Sequence, residues 1–313
     1  MKKYLFFLFV TCFLGFSCSK DHSGNPETKS YKLTYKISDF SSADTAFEKV
    51  GQTAVGVKTT TTVAPSSIMD VLYCSIYDAD GKNINTIKQL STDAGFGTIA
   101  TNLPAGNYTL VFAGGKTGLV FVNMLSPEKA TLNTDVLTYN NNNASTGLAD
   151  YTIKDTYYKK VPITVIGDNT ESITLNRIVA QLNVVIQDAI PSASAYSVDL
   201  FIIKKTPFYN AFHVNGGDVN AVGSEGSDGW SNIVPASKLG TSNYSIKTLI
   251  FTNSTPFQLK ISAYHSIPND IVPHWVADIT LTNITAAVNK TTVVSTRLFD
   301  HVGDPSLPPV LTH

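Results

Sequence analysis

SITLNRIVAQLNVVIQDA, residues 172–189, is the stretch on which the reading of this chain turns. Ile173 and Leu175 alternate with polar residues. After Asn176-Arg177 the apolar set moves by one position, to Ile178, Ala180, Leu182, Val184 and Ile186. Period-two alternation marks a half-buried strand, because successive side chains on extended backbone point to opposite faces. A one-residue shift sends the later side chains to the other face, so Asn176-Arg177 reads as a bulge, a bend or a change of sheet. The same letters also fit a helix, since Leu175, Ile178, Val179, Leu182, Val185 and Ile186 fall at three- and four-residue spacings. Branched side chains and β-like sequence on both sides favour strand. On that reading a second β-domain begins here and the chain is all-β.

The start of the chain carries a different signal. Lys2 and Lys3 precede an almost wholly apolar run, residues 4–16. That run is too short to span ~30 Å of hydrocarbon and reads as a secretory signal. Leu14-Gly15-Phe16-Ser17-Cys18 follows and resembles a bacterial lipobox, with small residues at Gly15 and Ser17 and a bulkier Phe16 between them. The implied chemistry is diacylglycerol attachment to the Cys18 sulfur, cleavage before it and acylation of the new amino terminus. Each buried methylene favours the membrane by ~0.8 kcal/mol, so several acyl chains would anchor the protein firmly. An ordinary cleaved signal with an incidental cysteine is the alternative. Of the 3 cysteines, Cys12 lies in the signal and Cys74 stands alone in the apolar run 71–76, so no intrachain disulfide is expected in the mature chain. Cys74 reads as a small buried apolar residue.

Lys+Arg 23 against Asp+Glu 24 gives a net charge of −1, and loss of Lys2 and Lys3 with the signal makes it −3. There is no electropositive excess to attract a phosphate backbone, which argues against nucleic acid as a partner. Only 15% of residues are charged, while Thr, Ser and Asn abound, a balance suited to hydroxyl-rich strands of a secreted protein. Residues 19–30 are polar and read as a flexible tether.

Tyr31, Leu33, Tyr35 and Ile37 alternate with polar residues as a clean strand. Residues 38–67 read as loop with one short strand near 54–57. Strands are expected over 68–77 and 83–90, turned by Asp78-Ala79-Asp80-Gly81. Others are expected over 98–101, 108–113 and 119–125, with Pro104-Ala105-Gly106 turning between the first two. The asparagine run 140–143 reads as loop. Residues 161–166 close the first half, and Pro162 points to an edge or a strand start because it cannot donate to a ladder. In the second half, strands are expected over 197–203, 208–214, 244–251, 257–264, 275–281 and 291–299, with a glycine-rich loop over 215–228. Short strands with regular turn signals suggest sandwiches.

Four landmarks together resemble the FimB-like fimbrial anchor and fimbrillin superfamily of Bacteroidetes-type (type V) pili. They are the lipobox ending at Cys18, the hairpin over 72–81, the turn and strand over 103–111, and residues 173–180. The resemblance implies two tandem transthyretin-like (Greek-key) β-sandwich domains behind a lipoprotein signal peptide and short linker. The expected divisions are 1–17 signal, 18–30 tether, 31–169 first domain and 170–313 second domain. It also implies a lipid-anchored subunit on the outer membrane, with other pilus subunits as partners and no cofactor or catalysis. The family's polymerising subunits are matured by an Arg-specific protease that removes an N-terminal strand. The only arginines here are Arg177 and Arg297, which favours an anchor or other accessory subunit over the shaft subunit. A lysine-directed cut at Lys36, Lys49 or Lys58 stays open. Assembly would proceed by strand complementation, an extended segment from one subunit satisfying an open sheet edge of another. The candidate donor segments are 31–37, with Tyr31, Leu33, Tyr35 and Ile37, and 291–299, with Val293 and Leu298, followed by the proline-containing tail 305–309. Ordinary internal strands are the equal alternative for both.

A surface glycan-binding lipoprotein is the second functional expectation, with Trp230, Tyr244 and Trp275 as stacking aromatics. Catalytic and metal patterns are weak. His213, His265, His274 and His301 are scattered in the sequence without metal-ligand spacing. Asp218-Val219-Asn220 before Gly223 lacks oxygen ligands of a calcium loop at Val222 and Gly229. Glu171, Glu225 and Asp228 are the acids to examine for glycoside hydrolysis, with solvated loop acids as the simpler reading.

Overall fold

The computed structural model describes residues 29–41, 48–49, 64–123, 130–139, 152–192, 197–216, 219–220, 229–265 and 274–300. In chain order the first half forms β1 (Ser30–Ser41), β2 (Glu48–Lys49), the helical turn α1 (Pro65–Ile68), β3 (Val71–Tyr77), β4 (Asn83–Leu90), β5 (Thr98–Pro104), β6 (Gly106–Gly115), β7 (Leu119–Asn123), β8 (Asp135–Tyr139) and β9 (Thr156–Val165). There follow β10 (Asn169–Arg177), β11 (Val179–Ile186), β12 (Leu200–Thr206), β13 (Ala211–His213), β14 (Val219–Asn220) and β15 (Gly229–Ile233). The chain continues through β16 (Tyr244–Phe251), β17 (Phe257–His265), β18 (His274–Ile284) and β19 (Lys290–Thr296). Among the described residues no helix is long and apolar enough to cross a membrane. The fold is all-β.

The shift at Asn176-Arg177 is a change of sheet. β10 ends there and lies in a seven-stranded sheet of order β4-β3-β6-β9-β10-β1-β5, whereas β11 belongs to the sheet β16-β11-β19-β2. β9 and β10 share only the pairs Asn176↔Tyr158 and Arg177↔Tyr157. The two arms of the seven-stranded sheet diverge beyond them and close over a core that includes Leu33, Tyr35, Leu72, Phe112, Ile173 and Leu175. β10 runs parallel to β1 and completes this first sandwich, so the two cores divide at Ile178 and not at the expected 169/170 boundary. The reason is that Ile173 and Leu175 keep the same face as the first core until the slip reverses the alternation.

The second sandwich packs β16-β11-β19-β2 on β15-β12-β17-β18. Ala180, Leu182, Val184 and Ile186 of β11 meet Phe201 and Ile203 of β12 and Leu259 and Ile261 of β17 in its core. A fourth sheet, β14-β13-β8-β7, draws strands from both halves of the sequence, since Phe212 of β13 pairs with Leu137 of β8. It covers the far face of β3 and β6 through Tyr73, Tyr77, Val111, Leu137 and Phe212, and Ile178 and Val179 join the same cluster. β3 is therefore buried along its whole length, which explains a run without alternation.

Asp78 forms the expected turn. Its Oδ1 accepts the Asp80 and Lys82 backbone N–H at 3.0 and 2.9 Å, and Gly81 adopts φ +77°, where a side chain would be strained. Pro162 lies in the middle of β9 opposite Thr109, not at a strand start. At that point β9 has left β10 and no described strand lies on its other side, so the proline occupies a local edge. Ile68 closes a helical turn, so the strand expected from 68 begins at Val71, and β8 and β15 arise where no strand was expected.

Candidate functional site

Strand β1 is flanked on both sides. It pairs in parallel with β10 from Leu33↔Asn169 and antiparallel with β5 from Ser30↔Pro104 to Lys36↔Thr98. Leu33, Tyr35 and Ile37 are buried in the first core, with Tyr35 against Phe112 at 5.4 Å between ring centroids, and Tyr31 packs partly buried at its rim. Burial pushes the Tyr35 phenol up to about 12.

The C-terminal segment is likewise part of its own sandwich. β19 pairs in parallel with β11 from Gln181↔Thr291 to Ile186↔Thr296. Beyond it, Phe299 is buried in the second core and Leu298 is partly buried against it. Asp188 holds this turn: its Oδ2 accepts the backbone N–H of Leu298 at 2.8 Å and that of Phe299. Val293 is 48% exposed. The two candidate donor segments thus lie in different sheets over different cores. Cys18 and the tail 305–309 lie outside the described residues.

Arg177 stands where the sheets change and ties the halves together. Its guanidinium donates to both Asp155 carboxylate oxygens at 2.9 Å, to Tyr157 Oη at 3.1 Å and to Asn289 Oδ1 at 3.1 Å. Asp155 and Tyr157 belong to the first half and Asn289 to the turn before β19. A planar fork matched to a carboxylate suits this role, and lysine could not reproduce it. The other arginine, Arg297, pairs at the surface with Asp300 at 2.8 Å.

The aromatics named for glycan stacking do not form a common platform. Trp230 is buried and meets Phe208 edge-on at 5.6 Å. Tyr244 stacks on Phe201 at 5.9 Å and donates its hydroxyl to Asn232 Oδ1 at 2.8 Å, while Trp275 is partly exposed on β18. A surface cleft of about 410 Å³ lies between the Asp78 turn and the β6–β9 pair. Asn107 and Thr164 bond each other there at 2.8 Å, and Tyr108 bonds Pro104 O at 3.2 Å.

The fold brings His265 and His274 directly opposite each other across β17 and β18, which their linear separation hid. Ser197 Oγ and Asp199 Oδ2 approach His265 at 3.0 and 3.9 Å. Both reach the same nitrogen, Nδ1, so the ring does not stand between acid and hydroxyl as a proton relay requires. Among the described residues no group of three or more His, Cys, Asp or Glu is placed to hold a metal ion. Cys74 is buried and its thiol is pushed up to about 12, an inert core residue. Glu171 is exposed on β10; Glu225, Asp228, Asp218 and His301 lie outside the described residues.

Lys205 was not anticipated. It is 3% exposed on β12, with its ammonium 4.3 Å from the Tyr209 ring centroid and 4.7 Å from that of Phe257, and it donates to Pro207 O at 2.6 Å. Burial pulls its amine down to about 8. No sequence signal marks it, because the aromatic cage is assembled from a neighbouring strand and the following loop.

The chain is an all-β protein in which β1 and β19 are strands of its own sandwiches. The sequence profile of the fimbrillin-A associated anchor proteins Mfa1 and Mfa2 matches residues 49–291, and the chain belongs to that family. It is therefore a fimbrial anchor or accessory protein, in keeping with the resemblance seen in the sequence. No curated relative matches it. Among solved structures it is similar to the fimbrial anchor protein Mfa2 from Porphyromonas gingivalis at 10% identity, over 83% of this chain and 100% of that one, with a TM-score of 0.44. A candidate polysaccharide-binding protein from Bacteroides thetaiotaomicron is 16% identical over 80% of each chain, with a TM-score of 0.48. A candidate adhesin from Bacteroides ovatus is 9% identical over 88% of each chain, with a TM-score of 0.49.

Proposed function

We propose that this chain is a lipid-anchored fimbrial anchor, held on the outer membrane through Cys18, that binds other pilus subunits by strand addition and performs no catalysis. Its two sandwiches are read as transthyretin-like domains, with the polar segment 19–30 as the tether. The observation that carries the reading beyond family membership is the seating of β1. Leu33, Tyr35 and Ile37 fill the first core, and β1 is bonded on both sides. No arginine lies near it in sequence, and Arg177 is buried in an ion pair, so an arginine-directed cut has no site from which to release β1. A first sandwich that keeps its own strand has no vacancy for a donor there, as suits the terminal member of a polymer.

The test is fractionation of cells carrying Cys18→Ala. The protein is expected in the soluble fraction, and pili are expected in the medium in place of the cell surface. Retention of both in the outer membrane would refute the lipid anchor.

A further inference from the structure

Strand alternation fixes what stands on the outer face of the sheet β15-β12-β17-β18. Phe201, Ile203, Ile261, Ala263 and Ala277 lie in the second core, so Leu200, Ile202, Ser262, Tyr264 and Asp278 face outward. In register, Ile233, Leu200, Tyr264 and Trp275 form one row across all four strands. A bulge makes this row. Between Ala263↔Ala277 and Tyr264↔Trp275 strand β18 holds one extra residue, Val276, which packs against the core. Without it Val276 would oppose Tyr264 and Trp275 would oppose His265; bulges commonly re-aim a side chain in this way. Directly opposite residues have Cβ atoms about 4.5–5.5 Å apart, so the phenol and the indole are neighbours. None of the four belongs to a core cluster. Ile233 is 75% exposed and the other three are partly exposed.

The row is a ribbon and not a broad patch. Three strand spacings make it roughly 14 Å long, and one outward repeat makes it about 7 Å wide, roughly 100 Å² in all. A stable protein interface takes about 800 Å² from each partner. The next outward row is Ser231, Ile202, Ser262 and Asp278, with Ser262 buried and Asp278 exposed. Lys260 Nζ lies 2.7 Å from Asp278 Oδ2, so the charges nearest the ribbon answer each other, and Lys204 stands one row further out. A sugar ring needs an aromatic surface for its C–H face and polar groups alongside for its hydroxyls. An aromatic pair bordered by a hydroxyl and a compensated ion pair offers both to a chain one ring wide and without net charge.

The ribbon also lies at the end of the molecule away from the start of β1. β10 runs parallel to β1 and ends at Arg177, where the sandwiches meet. β11 continues from Val179 to Ile186, which pairs with Tyr244. Tyr244 bonds Asn232, and Asn232 pairs with Phe201 beside the ribbon.

We propose that the row Ile233, Leu200, Tyr264 and Trp275 binds an external, uncharged, linear polysaccharide. Its ring faces stack on Tyr264 and Trp275, and its hydroxyls bond to Ser231 and the Lys260–Asp278 pair. Only the outward direction rests on the reading of residues 19–30 as the tether; the chemistry of the row does not. Trp230 and Tyr244 take no part, because both pack on the second core.

The experiment is affinity electrophoresis of the purified full chain in gels containing glucomannan, arabinoxylan or mixed-linkage β-glucan, with polygalacturonate as the charged probe. The expected result is retardation by at least one neutral polymer, and a change in tryptophan emission when that polymer is titrated in. Trp275→Ala and Tyr264→Ala are each expected to weaken binding about tenfold or more, while Trp275→Phe, which keeps a ring, loses about threefold or less. Ile233→Asp, at the exposed end of the row, probes the same surface without removing a ring and is expected to weaken binding about threefold or more. Thermal unfolding of each variant separates a lost contact from a damaged fold. Retardation unchanged in Trp275→Ala and Ile233→Asp would place the sugar elsewhere and overturn the proposal. Binding confined to polygalacturonate would overturn it in favour of an anionic ligand held by Lys204 and Lys260. No retardation by any polymer would also overturn it, and a dimer that Trp275→Ala dissolves would then assign the row to a second copy. Release of the protein from membranes by Cys18→Ala, or its retention there, bears on the anchor alone and leaves these results as they are.

Discussion

Arg177 and Lys205 are both buried cations, and their surroundings make them opposite cases. Arg177 has a bidentate carboxylate, a phenol and an amide around it, so its charge is answered on every side. Removing one member of a buried pair leaves the other charge uncompensated, which typically costs about 3–5 kcal/mol. Arg177→Ala should therefore lower the unfolding free energy by about that amount in urea titration. Arg297→Ala, whose pair with Asp300 is largely exposed, should change it by no more than about 1 kcal/mol. Lys205 has two aromatic faces and the Pro207 carbonyl around it, and burial lowers its amine to about 8 from 10.5. Below pH 8 both folded and unfolded chains carry this proton, and the cost of burying the charge is present in full. Between pH 8 and about 10 the unfolded chain binds more protons, so stability rises with pH. Above 10 the trend reverses, because Tyr35 stays protonated in the fold up to about 12 while unfolded tyrosines ionise. Urea midpoints measured from pH 7 to 9.5 should climb for the natural chain and stay flat for Lys205→Met. A flat profile for both would show that the aromatic cage does not perturb the amine.

Strands β10 and β11 show what a single chain segment can encode. Ile173 and Leu175 serve the first core, Ile178 and Val179 the cluster under the fourth sheet, and Ala180 to Ile186 the second core. The one-residue slip was legible as a change of face because strand alternation has a strict period of two. The Asp78 turn was legible for a local reason, since a short acid and a glycine answer backbone groups within four residues. β8 and β13 were not legible as partners. Their pairing joins Leu137 to Phe212 across the two halves, and β13 is only three residues long. The same limit hid the His265–His274 pair and the burial of Trp230, because periodicity reports a face but never what covers it. Leu175→Ala and Leu182→Ala empty fully buried sites in different cores, and each should cost about 2–5 kcal/mol. Thr174→Ala, exposed on β10 directly before Leu175, should stay within about 0.5 kcal/mol by the same denaturation measurement.

At the scale of the whole molecule, the fourth sheet and the Arg177 network join two sandwiches that the sequence presents as successive. The first sandwich keeps its own strand β1, which is bonded on both sides and buried in the core. Retention of β1 is the claim on which the anchor reading depends. It is tested most directly by the intact mass of this chain recovered from assembled, cell-attached pili. The account predicts a chain that begins at an acylated Cys18 and still includes Tyr31, Leu33, Tyr35 and Ile37. A chain that begins after Lys36, Lys49 or Lys58 would contradict it, because its first sandwich would then have lost β1 in whole or in part to a neighbour.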